Sequence, residues 1–324
     1  MATEPGLERR PPHEVSGPGP ATRPPHLLAA LSRTIWRSLP VAARRSLRHR
    51  QVYGRFPRRD PRTFNEKVHW RMLHDRRPRL VTACDKLAAK ELAVAAGVLP
   101  ARTLWTGTDV ADLADAHRAG LDLGERWVLK PNHRGGGLVH LGAGRPDPAR
   151  LAELARGWLD PSSDELRMGE WAYSRARRLL LVEERLGAPE EVLTDYKVHV
   201  VGGEPALVQV HHGRFGDHRL RYYRPDWTPT DVTVRGAAPA PLEPAPDRLA
   251  ELLDAAARLG RTWDYVRVDL YLVPEGVRFG ELTVYPGSGL TDFTRDAWLD
   301  RELGARWVLP HDAVAASTAS PRRG

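Results

Sequence analysis

Cysteine occurs once in the 324 residues, at Cys84, which excludes an internal disulfide and any zinc site built from several thiolates. Long apolar runs are also missing. None approaches the ~18 residues that a bilayer-spanning helix requires. The apolar cluster near the start, Leu27 to Leu31, is too short for a signal-peptide core of about 7–15 residues. The expectation is a soluble, cytoplasmic, disulfide-free protein. Lysine is the most informative shortage. Of 49 basic residues only five are lysine: Lys67, Lys86, Lys90, Lys130 and Lys197. Arginine replaces lysine easily on a solvated face. It does so badly where a compact ammonium must reach a phosphate or fill a narrow pocket. Lysines that persist in so arginine-rich a chain are therefore candidates for a site, and all five fall between positions 67 and 197.

What is present fits an ordinary globular chain, with 41% hydrophobic and 28% charged residues. The length allows about two domains. The formal charge of +8 would point to nucleic acid if it covered one surface. It does not. Residues 1–60 hold twelve arginines against four acids, so that segment carries the whole excess and the rest is neutral. No nucleic-acid partner is expected.

Residues 1–26, with seven prolines and three glycines, read as a disordered arm. Leu28, Leu31, Ile35 and Leu39 then recur at helical spacing, and a second basic stretch runs from Ala42 to Arg50. This basic segment, 27–82, reads as helices packed on the body by the leucine stripe. Peripheral contact with an anionic membrane is the alternative. From residue 61 the pattern is mixed α/β. Helices are expected over Asp85–Gly97, Asp109–Ala119, Leu151–Leu159 and Arg248–Leu259. Strands are expected over Arg126–Lys130, Leu179–Glu184, Tyr196–Val201 and Ala206–Val210, with residues 237–246 a loop and 265–284 a hairpin. Hairpins interleaved with helices indicate an α+β protein, not a parallel Rossmann sheet.

The last hairpin carries the sharpest signal. With residues 274–276 as its loop, Asp269 faces Glu281 and Arg267 faces Thr283 on one side of the sheet. Opposed side chains lie ~4.5–5.5 Å apart at Cβ, and like charges there repel. Two carboxylates so placed call for a cation between them, and oxygen ligands beside phosphate favour Mg²⁺. A two-residue loop would shift the register and leave two unrelated surface acids. A second signal is Trp127-Val-Leu-Lys130-Pro-Asn-His-Arg-Gly-Gly-Gly137, a strand that delivers one lysine and runs into a glycine loop. Glycines let backbone N–H groups approach an anion, and the lysine adds a point charge. Together these features point to a nucleoside triphosphate. His211, His212 and His218 are set aside as metal ligands, since adjacent strand residues face opposite ways. Ser288 lacks the context of a hydrolase nucleophile.

Asp85-Lys-Leu-Ala-Ala-Lys90, Trp127-Val-Leu-Lys130-Pro with its glycine loop, Leu-Val-Glu183-Glu-Arg-Leu186 and Arg267-Val-Asp269…Glu281-Leu-Thr283…Pro286-Gly-Ser-Gly resemble the ATP-grasp ligases. Their order and spacing are close to those of D-alanine–D-alanine ligases. Thr63-Phe-Asn-Glu-Lys67-Val-His-Trp70, Asp195-Tyr-Lys197 and Phe279-Gly-Glu-Leu-Thr283 are similar to the TupA-like branch, associated with teichuronopeptide and other cell-surface polymer synthesis. The likeness covers about residues 53–310.

The resemblance implies two α+β lobes gripping ATP, over residues 83–181 and 182–311, with 312–324 a disordered tail. It puts Lys90 and Lys130 on the phosphates and closes His133, Arg134, Gly135, Gly136 and Gly137 over them. Glu183, Glu184 and Leu186 fall on the adenine-binding strand, and Asp195 at the ribose. Asp269, Glu281 and Thr283 match the Mg²⁺ ligands. Arg267 matches the arginine that steadies the developing oxyanion, with Lys197 and Arg214 near an acyl phosphate. The implied activity is ATP-dependent joining of a carboxylate to an amine, both small molecules or polymer precursors. One departure concerns a second Mg²⁺: many ATP-grasp enzymes have Glu-x-Asn where this chain has Glu281-Leu-Thr283. Two competing readings are a glycosyltransferase, which would use a sugar nucleotide without ATP turnover, and a non-catalytic binding module acting through the basic arm.

Overall fold

The computed structural model describes residues 36, 38–135, 139–160, 169–188, 192–212, 219–232, 238–291, 293 and 297–310. The arm 1–26, the stripe residues Leu28, Leu31 and Ile35, and also Gly136, Gly137, Arg214, His218 and the tail 312–324 lie outside them.

The strands assemble into two sheets. The larger has the spatial order β1 (Leu99–Pro100), β11 (Gly276–Thr283), β10 (Tyr265–Val273), β6 (Asp195–Val201), β7 (Glu204–His212), β8 (Arg219–Tyr223) and β9 (Ala238–Pro239). The smaller runs β2 (Thr103–Gly107), β5 (Leu180–Glu184), β3 (Arg126–Pro131), β4 (His140–Ala143). Most neighbours are antiparallel, as the hairpin-rich sequence requires; the two-residue strands β1 and β9 pair in parallel. Strand β5 crosses the lobe boundary expected at 181/182 and pairs wholly within the smaller sheet.

Each sheet has its own apolar core. Val198, Val200, Val266, Val268 and Leu270 bury against Leu252, Ala255, Ala256 and Leu259 of α8 (Leu249–Gly260). In the smaller core Trp127, Leu129, Leu180 and Val182 meet Val110 and Leu113 of α5 (Val110–Arg118) and Leu151 of α6 (Pro148–Ala155). Helix α6 starts and ends earlier than the expected Leu151–Leu159. Asp147 caps it by accepting from the Ala149 and Arg150 amides, Pro148 fits the first turn, and Gly157 follows at φ 82°.

The second basic stretch packs on the body through a polar face, while most of the leucine stripe lies outside the described residues. Helix α1 (Val41–Tyr53) buries Arg44, Arg45 and His49 and leaves Leu47 exposed, so its inner side is polar. Arg45 donates to the Ser288 carbonyl, and the His49 ring bonds the Arg55 carbonyl at 2.9 Å. Helix α2 (Phe64–His74) opens with a capping box between Thr63 and Glu66, and the Asn65 amide and side chain both donate to Asp300 at 2.9 Å. Asp300 belongs to α9 (Ala297–Arg306). From α2 the fully buried Arg71 meets Asp264 at 2.5 Å, donates to the Tyr265 carbonyl at 2.9 Å and stacks 4.3 Å from the Trp307 ring. Among the described residues no helix is long and apolar enough to cross a membrane.

The β10–β11 hairpin corrects the expected loop. Val273 pairs with Gly276, so the turn has two residues, Pro274 and Glu275. That turn alone would carry Glu281 past Asp269. A β-bulge at Gly280 inserts one extra residue in β11 and restores the pairs Asp269–Glu281 and Arg267–Thr283. Gly280 has no room for a side chain: a Cβ there would lie 2.9 Å from Tyr271 Cε2 and 3.0 Å from the Asp269 carbonyl oxygen. Gly280→Ala should therefore destabilise the protein by about 1–3 kcal/mol, measured by urea unfolding. An unchanged midpoint would show that the bulge tolerates a side chain.

Candidate active site

A cleft opens between the two sheets. The smaller sheet supplies Val128, Lys130, Leu141, Glu183 and Glu184, and the larger supplies Asp195, Asp269, Tyr271, Phe279, Gly280 and Glu281. Lys86, Arg134, Gly135 and Leu186 complete much of the wall.

The cationic side is built on α4 (Lys86–Ala95). Asp85 caps this helix, accepting from the Ala88 amide at 3.0 Å, while Arg177 grips the same carboxylate through two 2.7 Å bonds. Burial opposes ionisation of Asp85, but Arg177 and the amides outweigh it and hold its pKa down to about 2. Asn132 accepts from the Leu87 amide at 2.9 Å and so ties the helix start to the end of β3. Lys86 and Lys90, four residues apart, share one helix face. Lys90 meets Glu183 at 2.7 Å and Thr103 Oγ1 at 3.0 Å, and Lys130 reaches the other Glu183 oxygen. Sheet register explains the second contact. Lys130 pairs with Leu181, which makes Glu183 its diagonal neighbour on the same face. Burial alone would raise the Glu183 carboxyl, yet Lys130 and Lys90 hold it below its ordinary value. Glu183, expected at the adenine, thus has its carboxylate on the two lysines. The next residue, Glu184, points the other way and accepts from the Arg102 amide at 2.8 Å.

Lys86, a candidate by lysine scarcity, was given no role at the site by the resemblance. Its ammonium donates to the carbonyls of Pro131, at 3.0 Å, and Arg134, at 2.5 Å. Burial lowers its pKa to about 8, with Glu281 pulling it up and Lys130 pushing it down. Lysine scarcity and the four-residue spacing to Lys90 were the signals that could have found it. Lys86 and Lys130 thus line this cleft, and Lys90 and Lys197 contact its lining carboxylates Glu183 and Asp269. The fifth, Lys67, donates to the Trp307 carbonyl at 2.5 Å.

The acidic side is one row across three strands: Lys197 of β6 opposite Asp269 of β10, and Asp269 opposite Glu281 of β11. Lys197 lies 2.5 Å from Asp269 and 2.6 Å from Asp195. Arg267 grips both oxygens of Asp269 at 2.7 Å and reaches Glu281 at 3.4 Å and Thr283 Oγ1 at 3.0 Å. The cation between the two facing carboxylates is therefore a guanidinium. Burial alone would raise the Asp269 carboxyl; Arg267 and Lys197 hold it well below the usual carboxylate range. Glu281 is different, with its side chain 34% exposed. Among the described residues no group of three His, Cys, Asp or Glu side chains is arranged to hold a metal. An ion at the Asp269–Glu281 pair would need its remaining oxygens from a ligand, which is how Mg²⁺ ordinarily binds with phosphates.

His133 is buried and is not among the residues lining the cleft, whereas Gly135 does line it. Asp195, expected at a ribose, faces Lys197. His212 sits 3.3 Å from Glu243, and Ser288 adopts a left-handed φ of 52° with its hydroxyl donating to Glu170 at 2.7 Å.

Among curated proteins none matches this sequence. Among solved structures it is similar to a D-alanine–D-alanine ligase from Bacillus anthracis, at 12% identity over 73% of this chain and 69% of that one, with a TM-score of 0.43. It is also similar to the VanG D-Ala:D-Ser ligase from Enterococcus faecalis, at 15% identity, coverage of 69% and 60%, and a TM-score of 0.42. A third is the ATP-grasp ligase PsnB complexed with a precursor variant, Mg and ADP, at 17% identity, coverage of 78% and 67%, and a TM-score of 0.38. The chain thus spans 60–69% of the length of these three structures. The family model for TupA-like ATP-grasp proteins matches residues 66–308, three quarters of the sequence and both walls of the cleft, and the chain belongs to that family.

Proposed function

We propose that this protein is an ATP-dependent ligase that joins a carboxylate to an amine through an acyl phosphate. The observation that carries the reading is a cleft lined by Lys86 and Lys130 with the opposed pair Asp269 and Glu281, where Lys90, Lys197 and Arg267 stand directly behind the lining carboxylates Glu183 and Asp269. So many cations around so small a space suit a triphosphate, and the apolar walls Val128, Leu141, Leu186 and Phe279 suit a flat heterocyclic base.

A carboxylate does not condense with an amine at neutral pH. In the proposed reaction a carboxylate oxygen attacks the γ-phosphorus while the bond to the β,γ-bridging oxygen breaks, and ADP leaves. The amine nitrogen then attacks the acyl carbon, inorganic phosphate departs, and one proton goes to solvent. Phosphoryl transfer is catalysed largely by positioning and charge neutralisation. Lys86, Lys90 and Lys130 would hold the phosphates, with Gly135 at the loop that approaches them. Arg267 would face the charge that grows on the transferred group. The oxygen donors of Glu281, with Thr283 and the Asp269 ion-pair network beside them, fit a hard divalent cation such as Mg²⁺, which neutralises triphosphate charge when bound. We place the reaction in the cytoplasm, where ATP is available, and assign its products to cell-surface polysaccharide, teichuronopeptide-type or peptide-like metabolite synthesis. Incubation with ATP and a panel of amino acids, uronates and short peptides should release ADP and phosphate in step with a new amide seen by mass spectrometry. Product formed only from a sugar nucleotide, with no ADP, would overturn the reading.

Lys86 adds a pH dependence. With its pKa lowered to about 8, it loses its charge as pH rises through that value. Nucleotide affinity should therefore fall between pH 7.5 and 9, by up to about tenfold per unit once the ammonium is mostly neutral. Calorimetric titration of a non-hydrolysable ATP analogue measures it. Lys86→Gln should bind more weakly and lose the slope in this range; a slope that survives the substitution would exclude Lys86 as its source.

A further inference from the structure

We infer that Lys197 is a built-in counter-ion occupying the place on Asp269 where a second divalent cation would bind, so that the nucleotide-loaded site takes one such ion, through Glu281. The inference rests on the nucleotide reading above and specifies its metal requirement.

Asp269 has two oxygens and both are committed. Oδ1 accepts from Arg267 Nε at 2.7 Å, and Oδ2 accepts from Arg267 Nη2 at 2.7 Å and from Lys197 at 2.5 Å. The residue is only 2% exposed. A metal ion bound at Oδ2, which accepts from two cations, must displace one of them. Displacing Lys197 would leave a buried ammonium with Asp195 as its remaining anion in this row. Displacing Arg267 would undo a two-point grip that also spans to Thr283. Glu281 is open by contrast: one third exposed, and touched by Arg267 only at 3.4 Å. The charges agree. Counting lining residues and their direct partners, Lys86, Lys90, Lys130, Arg134, Arg185, Lys197 and Arg267 outnumber Glu183, Glu184, Asp195, Asp269 and Glu281, so the cleft has no surplus negative charge to attract a free divalent ion. The ion must arrive with the triphosphate, and Glu281 is the carboxylate with room to receive it.

The test counts metal ions on the full chain at pH 7, with Mn²⁺ as the probe followed by electron paramagnetic resonance and a saturating non-hydrolysable ATP analogue. The wild-type chain should bind one Mn²⁺ per nucleotide, and almost none at the same concentration without it. Lys197→Met, which opens one acceptor position on Asp269 Oδ2 and releases Asp195, should bind two. Two ions on the wild-type chain would overturn the inference, and that measurement needs no variant. A folded Lys197→Met that still binds one would overturn it as well. Calorimetry with the analogue separates the two levels: bound analogue with two Mn²⁺ refutes only the role of Lys197, whereas failure to bind analogue refutes the nucleotide reading and this inference together.

Discussion

Asp269→Asn is expected to reduce ATP turnover by on the order of a thousandfold and to destabilise the fold at the same time. The facing carboxylates in the sequence imply mutual repulsion, which a neutral side chain would relieve with the fold intact. The structure reverses that expectation, because Asp269 is the shared anion of Arg267 and Lys197. Removing its charge leaves two buried cations short of a partner, and breaking a buried ion pair costs about 3–5 kcal/mol. Glu281→Gln should lose turnover on a similar scale with stability nearly unchanged, since this side chain is partly solvated and loosely held. ADP release and urea unfolding on both variants provide the check. If Asp269→Asn proves as stable as the wild-type chain, the ion-pair network does not hold the hairpin as described. If Glu281→Gln keeps near-normal turnover, that carboxylate does not serve a metal.

Lys130→Arg should be nearly as damaging as Lys130→Ala, with losses of about a hundredfold or more in kcat/KM. Lys130 shares Glu183 with Lys90, whose own contact is 2.7 Å, inside a wall where all three side chains are largely enclosed. A guanidinium is wider, planar and rigid, and it would have to push Lys90 aside to occupy that space. Calorimetric binding of the ATP analogue, read beside kinetics for both variants, separates lost affinity from lost turnover. Arginine restoring most of the activity would remove the argument from lysine scarcity at this position.

Much of the framework was legible because its determinants are local. Asp85 and Asp109 cap the helices that were expected to begin at them, and Gly202-Gly203 turns the β6–β7 hairpin. The alternating residues of β10 and β11 placed Asp269 opposite Glu281. That pairing was correct although the loop behind it was not, since the shorter turn and the bulge at Gly280 compensate each other. Bulges leave little trace in a pattern of period two. The inward polar face of α1 was illegible for a different reason: Arg44, Arg45 and His49 are buried by distant partners such as Ser288, which no local periodicity reveals. The same holds for Glu183. Its neighbours in sequence point to an adenine strand, while its charge is claimed by lysines 53 and 93 residues upstream. Lys86 lay in plain view among five lysines, but only packing shows how deeply it is buried.

The Arg71 cluster imposes an order of events on synthesis. Helix α2 emerges early from the ribosome, yet the groups that neutralise and cover its arginine, Asp264, Tyr265 and Trp307, come some two hundred residues later. Until they arrive, Arg71 has only Asp75, one turn on at 3.7 Å, as its anion and stays in water, because a poorly paired guanidinium is costly to bury. Asn65 likewise waits for Asp300. The smaller sheet, with all four strands between residues 103 and 184, can form its hydrogen bonds while translation continues. The N-terminal helices cannot finish docking until α9 and Trp307 are free. A nascent chain stalled before residue 297 should therefore display α2 to proteases and chaperones while the four-stranded sheet is already protected.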